Sequence, residues 1–309
     1  MKIVFLDRGT LGQDADLSPI AALGELVCYD ETHREQKIER VADADIIITN
    51  KVRITKEVID AAPRLRKICV AATGVNCVDL DYAALKGIPV LNVAGYSTDS
   101  VAQLTWMHIL NLVCGAFRAN KFCHDLSYSN SGCFCGATLP PYHELSGKTI
   151  GIIGMGNIGR RVASIALAFG MKVVYHSTSG KPHCSEYPAL SLEELLSASD
   201  VVSIHCPLNT HTDSLIDYAK LHLMKRSAFL VNMARGGIVV EADLVRALNN
   251  KLIAGAACDV YTREPMPENH PYLKELKDKS RLLLSPHIAW ASVEARAHLV
   301  QGIADNILK

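Results

Sequence analysis

The chain's 309 residues are enough for two domains with separate cores, and a hydrophobic share of 49% excludes a disordered chain. Its 32 basic and 32 acidic residues cancel, so no overall field draws it to nucleic acid or to an anionic membrane, and neither partner is expected. No apolar run reaches the length of a membrane span; the nearest, residues 104–117, is interrupted by His108 and Asn111.

In chain order, apolar β-branched runs alternate with helical stretches. The first third predicts strands at 3–6, 46–49, 67–71 and 90–93. Near-continuous apolar runs of this kind suit parallel strands covered on both faces. Asp7 and Arg8 follow the first run at once, which does not fit a signal peptide, so a cytoplasmic protein is expected. The loop Gly95-Tyr96-Ser97-Thr98 sets a boundary near residue 98 between two α/β units. Residues 100–119 then predict one long helix. Its apolar positions, among them Val101, Leu104, Trp106, Leu110, Val113 and Phe117, cover more than one face. Such a helix is either central to a core or shared with a partner subunit.

Residues 123–147, rich in Gly, Ser, Cys and Pro, read as a long surface connection. Most of the ten cysteines, such as Cys69, Cys114 and Cys258, lie in apolar segments as small hydrophobes. Cys123, His124, Cys133 and Cys135 form the only sequence cluster. No second paired-ligand motif follows at zinc-site spacing, so reduced thiols and no metal are expected.

Later strands are predicted at 149–153, 172–175, 201–205, 228–232, 254–259 and 281–284. Between the first of these and a helix over 157–169 stands Gly154-Met155-Gly156-Asn157-Ile158-Gly159. In that setting Gly154 allows the tight turn, Gly156 the approach of a pyrophosphate, and Gly159 close helix–strand packing. N–H groups at the helix start then face the phosphates. Ile158, Val162, Ile165 and Phe169 mark the expected buried face, and Gly170 the helix end. A glycine-rich turn without ligand is the bland alternative.

The next strand ends Tyr175-His176-Ser177-Thr178-Ser179-Gly180-Lys181. Ser177 stands where an NAD-selective site usually carries Asp or Glu for the ribose. Ser177, Thr178 and Lys181 offer hydrogen bonds to a 2′-phosphate, yet no arginine is present in this stretch to clamp one. NAD and NADP both stay open.

Arg235, Asp259 and His287 all fall past the carboxyl ends of predicted strands, where ligands bind in open α/β sheets. Gly236 and Gly237 leave room beside Arg235, whose planar fork suits a carboxylate. His287, after Pro286, is a candidate proton donor for a reduced carbonyl. A carboxylate on the rigid Glu264-Pro265 turn would orient its ring and favour the charged form. Singly, each has an ordinary alternative: Arg235 in a salt bridge, His287 as a capped loop residue, Glu264 as a solvated turn residue. His108, His124, His183 and His222 have no such setting and read as structural or exposed. Ser292 is the expected N-cap of a last helix running to about Leu308.

Five motifs carry a resemblance over almost the full length. They are Gly154-x-Gly156-x-x-Gly159, His205-Cys206-Pro207-Leu208, Asn232-x-Ala234-Arg235-Gly236-Gly237, Asp259-Val260-x-x-x-Glu264-Pro265 and Pro286-His287-Ile288-Ala289-Trp290. With them the chain resembles the D-isomer-specific 2-hydroxyacid dehydrogenases. Thr73-Gly74-Val75-Asn76, the segment 95–103 and the segment 288–296 make it most similar to the glycerate dehydrogenases (hydroxypyruvate reductases).

The resemblance implies Arg235, Glu264 and His287 as the catalytic three. It implies that Thr73, Asn157, Ile158, Cys206, Pro207, Thr212, Met233, Ala234, Asp259 and the segment after His287, through Trp290, line the cofactor site beside Arg235 and His287. Gly74 and Val75 would offer backbone N–H groups to the substrate carboxylate. The implied fold is two doubly wound parallel-sheet domains: a central Rossmann domain over 99–287, and a discontinuous flavodoxin-like substrate domain over 1–98 plus 288–309. A homodimer joined through the cofactor domain is implied too, consistent with the apolar helix over 100–119. Ser177 departs from the acid common in NAD-using members, so coenzyme preference does not carry over.

The expected activity is reduction of a small 2-keto acid with NAD(P)H, hydroxypyruvate to D-glycerate first among candidates. Another 2-keto acid, such as glyoxylate or a branched keto acid, is the runner-up. The rival from another class is a dinucleotide-sensing, corepressor-like binding protein. Such proteins carry extra tails, whereas this sequence runs out at Lys309 after its last helix and has no low-complexity segment.

Overall fold

The apolar runs form parallel strands in two separate sheets. The computed structural model describes residues 1–135, 139–182 and 184–309, so the expectation for His183 lies outside the described residues. The chain divides into two compact units, Met1–Ser97 with Trp290–Lys309, and Thr98–Ala289.

The first unit holds β1 (Lys2–Phe5), β2 (Glu25–Cys28), β3 (Ile46–Thr49), β4 (Lys67–Val70) and β5 (Val90–Asn92). Their order is β2-β1-β3-β4-β5, every pairing parallel, which is the flavodoxin-like order. β2 has no counterpart among the sequence expectations. It is an edge strand of partly exposed residues, so Glu25-Leu26-Val27-Cys28 never shows the solid apolar block of an inner strand. The last helix, Val293–Leu308, starts at its Ser292 cap, which accepts the Ala295 N–H at 3.1 Å. Leu299, Val300, Ile303 and Ile307 pack it into one core with Ile3, Phe5, Ile46 and Ile48. Lys67 Nζ donates to the Asn306 and Ile307 carbonyls, a cation at the helix C-terminus.

The second unit holds β6 (Thr149–Ile153), β7 (Lys172–His176), β8 (Val201–Ile204), β9 (Phe229–Asn232), β10 (Gly255–Cys258) and β11 (Leu282–Leu284). The order is β11-β10-β9-β8-β6-β7, again all parallel. A single parallel bridge, Tyr175 to Ala189, lies beyond β7. It stands where the Rossmann order 3-2-1-4-5-6 has its outermost strand, here shrunk to one residue pair.

The helix expected over 100–119 is broken. It runs Thr98–Cys114, stops at Gly115 with φ 66°, and a second helix, Ala116–His124, leaves at 62°. A left-handed glycine ends a helix at no steric cost, and apolar periodicity alone does not register it. The first helix buries Val101, Trp106, Ile109 and Leu112 within its own unit. Among the described residues no single helix is long and apolar enough to cross a membrane; this bent pair reaches the composition only jointly. A second correction concerns the helix Asn157–Ala168. Val162 is buried and Ile158 and Ile165 are partly so, but Phe169 lies past the helix end, exposed, with its ring stacked on Trp106.

Two histidines are held neutral by burial in this unit: His205 is pushed down to about 3 and His108 to about 4. In the unfolded chain both take a proton near pH 6.5. The unfolded state therefore binds more protons below that pH, and stability falls as pH falls from about 6.5 toward 4. Each histidine contributes a slope of about 1.4 kcal/mol per pH unit in that window. Urea unfolding at pH 7 and pH 5 checks this: the midpoint is expected to drop, and to drop less in a His205→Asn variant.

Candidate active site

The turn after β6 builds a cradle without side chains. Gly154 has φ 97°, and a Cβ there would stand 2.6 Å from the Cys206 backbone nitrogen, so β6 and the end of β8 meet at glycine alone. A Cβ on Gly159 would collide with the Gly154 carbonyl oxygen, which seats the helix Asn157–Ala168 on the turn. Gly156, at the N-cap, is different: a Cβ there would meet nothing within 4 Å. That opening lies over the first turn of a 12-residue helix with no side-chain cap. Amide donors at the positive end of a helix dipole, with open space in front, fit a dinucleotide pyrophosphate.

Past the end of β7, Ser177 Oγ donates to the Lys181 carbonyl at 2.7 Å and lies 3.0 Å from Ser179 Oγ. Thr178 beside it is partly buried. Sequence reasoning missed a cation here. Arg160, one residue past Gly159, reaches the loop after β7, with Nη1 3.4 Å from Cys184 Sγ and 3.3 Å from Glu186 Oε2. The position after Gly159 was the available signal. On the next loop Cys206 is buried, its thiol pushed up to about 11 by burial, and Pro207 is exposed. Thr212 is fully buried; its hydroxyl donates to the Pro207 carbonyl at 2.6 Å and closes that loop.

Arg235, Glu264 and His287 lie past the ends of three neighbouring strands, β9, β10 and β11. At the end of β9, Asn232 accepts the Ala234 N–H and donates from Nδ2 to the Arg235 carbonyl. Met233 and Ala234 are thereby folded inward and Arg235 outward, where Nη1 donates to the Ala234 carbonyl at 2.8 Å. Gly236 ties this loop to the next: a Cβ there would overlap the Tyr261–Thr262 peptide.

Past β10, Glu264 Oε1 accepts the Tyr261 N–H at 3.0 Å, and Oε2 lies 2.6 Å from His287 Nδ1. His287 has φ 54°, a left-handed conformation rare outside glycine, and strain of this kind gathers at functional sites. The backbone is held there by Asp259, whose carbonyl accepts the His287 N–H at 2.8 Å. The Asp259 carboxylate accepts the Ile288 and Ala289 N–H groups at 3.0 and 2.9 Å. Burial pushes the Asp259 carboxyl upward, against the pull of these donors, of Ser285 and of His287. With Nδ1 on Glu264, Nε2 is the ring nitrogen left for a ligand. A contact of this length fixes the ring.

Thr73, Gly74, Val75 and Trp290 belong to the first unit. Thr73 donates to the Val93 carbonyl at 3.3 Å, and the Trp290 ring meets Tyr96 edge-on. Cys123, Cys133 and Cys135 are exposed thiols, and among the described residues no three His, Cys, Asp or Glu side chains gather to hold a metal ion.

Residues 106–289 match the family model described as D-isomer specific 2-hydroxyacid dehydrogenase, NAD binding domain. The chain belongs to that family. It is therefore an oxidoreductase that works on the CH–OH group of a 2-hydroxy acid with a nicotinamide dinucleotide. A hydroxypyruvate reductase of Blautia hydrogenotrophica is 37% identical over 99% of this chain and 96% of its own length. The acyclic imino acid reductase Bsp5, solved with NADPH and D-Arg, superposes with a TM-score of 0.87 at 28% identity, covering 100% of this chain and 96% of that one. The D-lactate dehydrogenase of Aquifex aeolicus, solved with NAD and lactic acid, gives 0.84 at 28% identity, covering 99% and 94%. The dehydrogenase thus has structural neighbours that hold either coenzyme.

Proposed function

We propose that this dehydrogenase reduces hydroxypyruvate to D-glycerate, with Arg235, Glu264 and His287 as its catalytic residues. The observation that carries the reading is the 2.6 Å Glu264–His287 contact on a loop locked to that of Arg235. The Blautia hydrogenotrophica relative, similar over nearly its whole length, supports the substrate. When bound, the reduced nicotinamide supplies a hydride to C2 of the keto acid. Arg235 holds the substrate and draws electron density toward its oxygens through a planar pair of donors. His287 passes its Nε2 proton to the C2 oxygen, while Glu264 keeps the Nδ1 proton in place. The hydroxy acid leaves with one hydride and one proton gained.

A panel of hydroxypyruvate, glyoxylate, pyruvate and a branched keto acid tests the substrate. Hydroxypyruvate is expected to give the highest kcat/KM; a higher value for any other member reassigns it.

The same reading covers coenzyme, assembly and place. NADPH is expected to work at a rate within reach of NADH, because Ser177 carries no charge to repel a 2′-phosphate and Arg160 stands on the neighbouring helix. Introducing Ser177→Asp is expected to depress kcat/KM for NADPH far more than for NADH. A parent enzyme that already rejects NADPH as strongly as the Ser177→Asp variant would remove Ser177 as the determinant. A homodimer through the second unit is supported by large apolar side chains exposed there, among them Phe117, Leu126, Phe134 and Leu167. Cytoplasmic residence suits the buried free thiols of Cys69, Cys206 and Cys258.

A further inference from the structure

The helix Thr98–Cys114 carries a polar residue where its buried face calls for an apolar one. His108 is 2% exposed, beside Thr105, Ile109 and Leu112. Its Nε2 lies 3.0 Å from Ser285 Oγ, and Ser285 Oγ donates to Asp259 Oδ1 at 2.6 Å. All three residues are buried.

The direction of this chain follows from counting protons. The Asp259 carboxylate already accepts two backbone N–H groups, from Ile288 and Ala289, which suits its ionised form. The single Ser285 proton points at Asp259, so Ser285 Oγ accepts from His108. His108 therefore carries its proton on Nε2, and its buried Nδ1 has no partner among the described residues. A ring nitrogen left bare in the interior costs stability that a leucine at this position would not. The far end of the chain is where that cost has a use. Asp259 holds the N–H groups of residues 287, 288 and 289, the turn that gives His287 its left-handed backbone and sets its ring on Glu264.

We propose that His108 is a positioning residue of the dehydrogenase: through the Ser285 hydroxyl it fixes the Asp259 carboxylate, and through that carboxylate the aim of His287. The inference rests on His287 being the proton donor. The side chains of Ser285 and His108 act by holding the group that shapes the turn; the Ser285 carbonyl also accepts the His287 N–H at 3.1 Å, a backbone contact that Ser285→Ala keeps.

The test measures kcat per coenzyme-binding site and KM for the keto acid in four variants: His108→Leu, His108→Gln, Ser285→Ala and the His108→Leu/Ser285→Ala pair. His287→Ala is run beside them. Small misplacements of a catalytic group cost up to about 10²-fold, so His108→Leu is expected to lower kcat about tenfold with KM unchanged. In His108→Gln the side-chain amide can still donate to Ser285, and most of the loss should return. Coupled residues are non-additive, so the pair is expected to be no slower than its slower single variant. Three results would overturn the inference: parental kcat in folded His108→Leu, equal losses for the glutamine and leucine substitutions, or additive losses in the pair. If His108→Leu does not fold, the glutamine and Ser285→Ala variants still decide it: parental kcat in Ser285→Ala overturns it. An active His287→Ala enzyme would remove the proton-donor reading itself, and the inference with it. An inactive one beside additive losses leaves that reading standing and removes only the role of His108.

Discussion

His287→Ala is expected to lower kcat by about 10²–10⁴-fold, the usual contribution of a positioned general acid. Dinucleotide binding should be nearly untouched. The cradle is made by Gly154, Gly156 and the helix Asn157–Ala168, whereas His287 sits on the turn held by Asp259. The two readouts separate chemistry from folding: a collapsed loop would weaken both, loss of the proton donor only one. Titrating coenzyme into the variant and assaying it on the same sample makes the comparison. A His287→Ala enzyme with near-parental kcat would show that the proton comes from elsewhere.

Arg235→Lys is expected to be nearly as severe, although the charge is kept. A lysine ammonium is a point charge on a flexible stem and loses the planar two-donor fork. Each charge-assisted hydrogen bond to a substrate oxygen is worth about 1.5–3 kcal/mol, so kcat/KM should fall by roughly 10- to 100-fold. KM should rise and kcat fall together, because the same fork meets the ground state and the charge that grows on oxygen. The Gly236 packing against Tyr261–Thr262 does not involve the guanidinium, so the loop itself should survive. Steady-state constants equal to the parent's would make Arg235 a structural or remote residue.

Much of this site was legible because strand ends carry it. Gly154, Gly156 and Gly159 follow a solid apolar run, and Arg235 and His287 each follow another, so period and spacing alone put them past the carboxyl ends of strands that share one sheet. The Glu264–His287 contact was suggested by chemistry alone and appears at 2.6 Å. What sequence reasoning lost has physical causes. β2 is an edge strand whose half-exposed residues leave no block pattern. The break at Gly115 is a backbone event inside a continuous apolar run. Arg160 reaches the loop after β7 from the neighbouring helix, close in space and not in the strand-end motif. His108 reads from sequence only as structural or exposed, because Ser285 and, through it, Asp259 lie over 150 residues away in the chain.

The most direct test of the account mixes the purified enzyme with reduced nicotinamide dinucleotide and hydroxypyruvate, follows coenzyme oxidation, and determines the handedness of the glycerate formed. Oxidation should match product one for one, and the glycerate should be the D isomer. Failure to oxidise either NADH or NADPH with any 2-keto acid, or an L product, would contradict it.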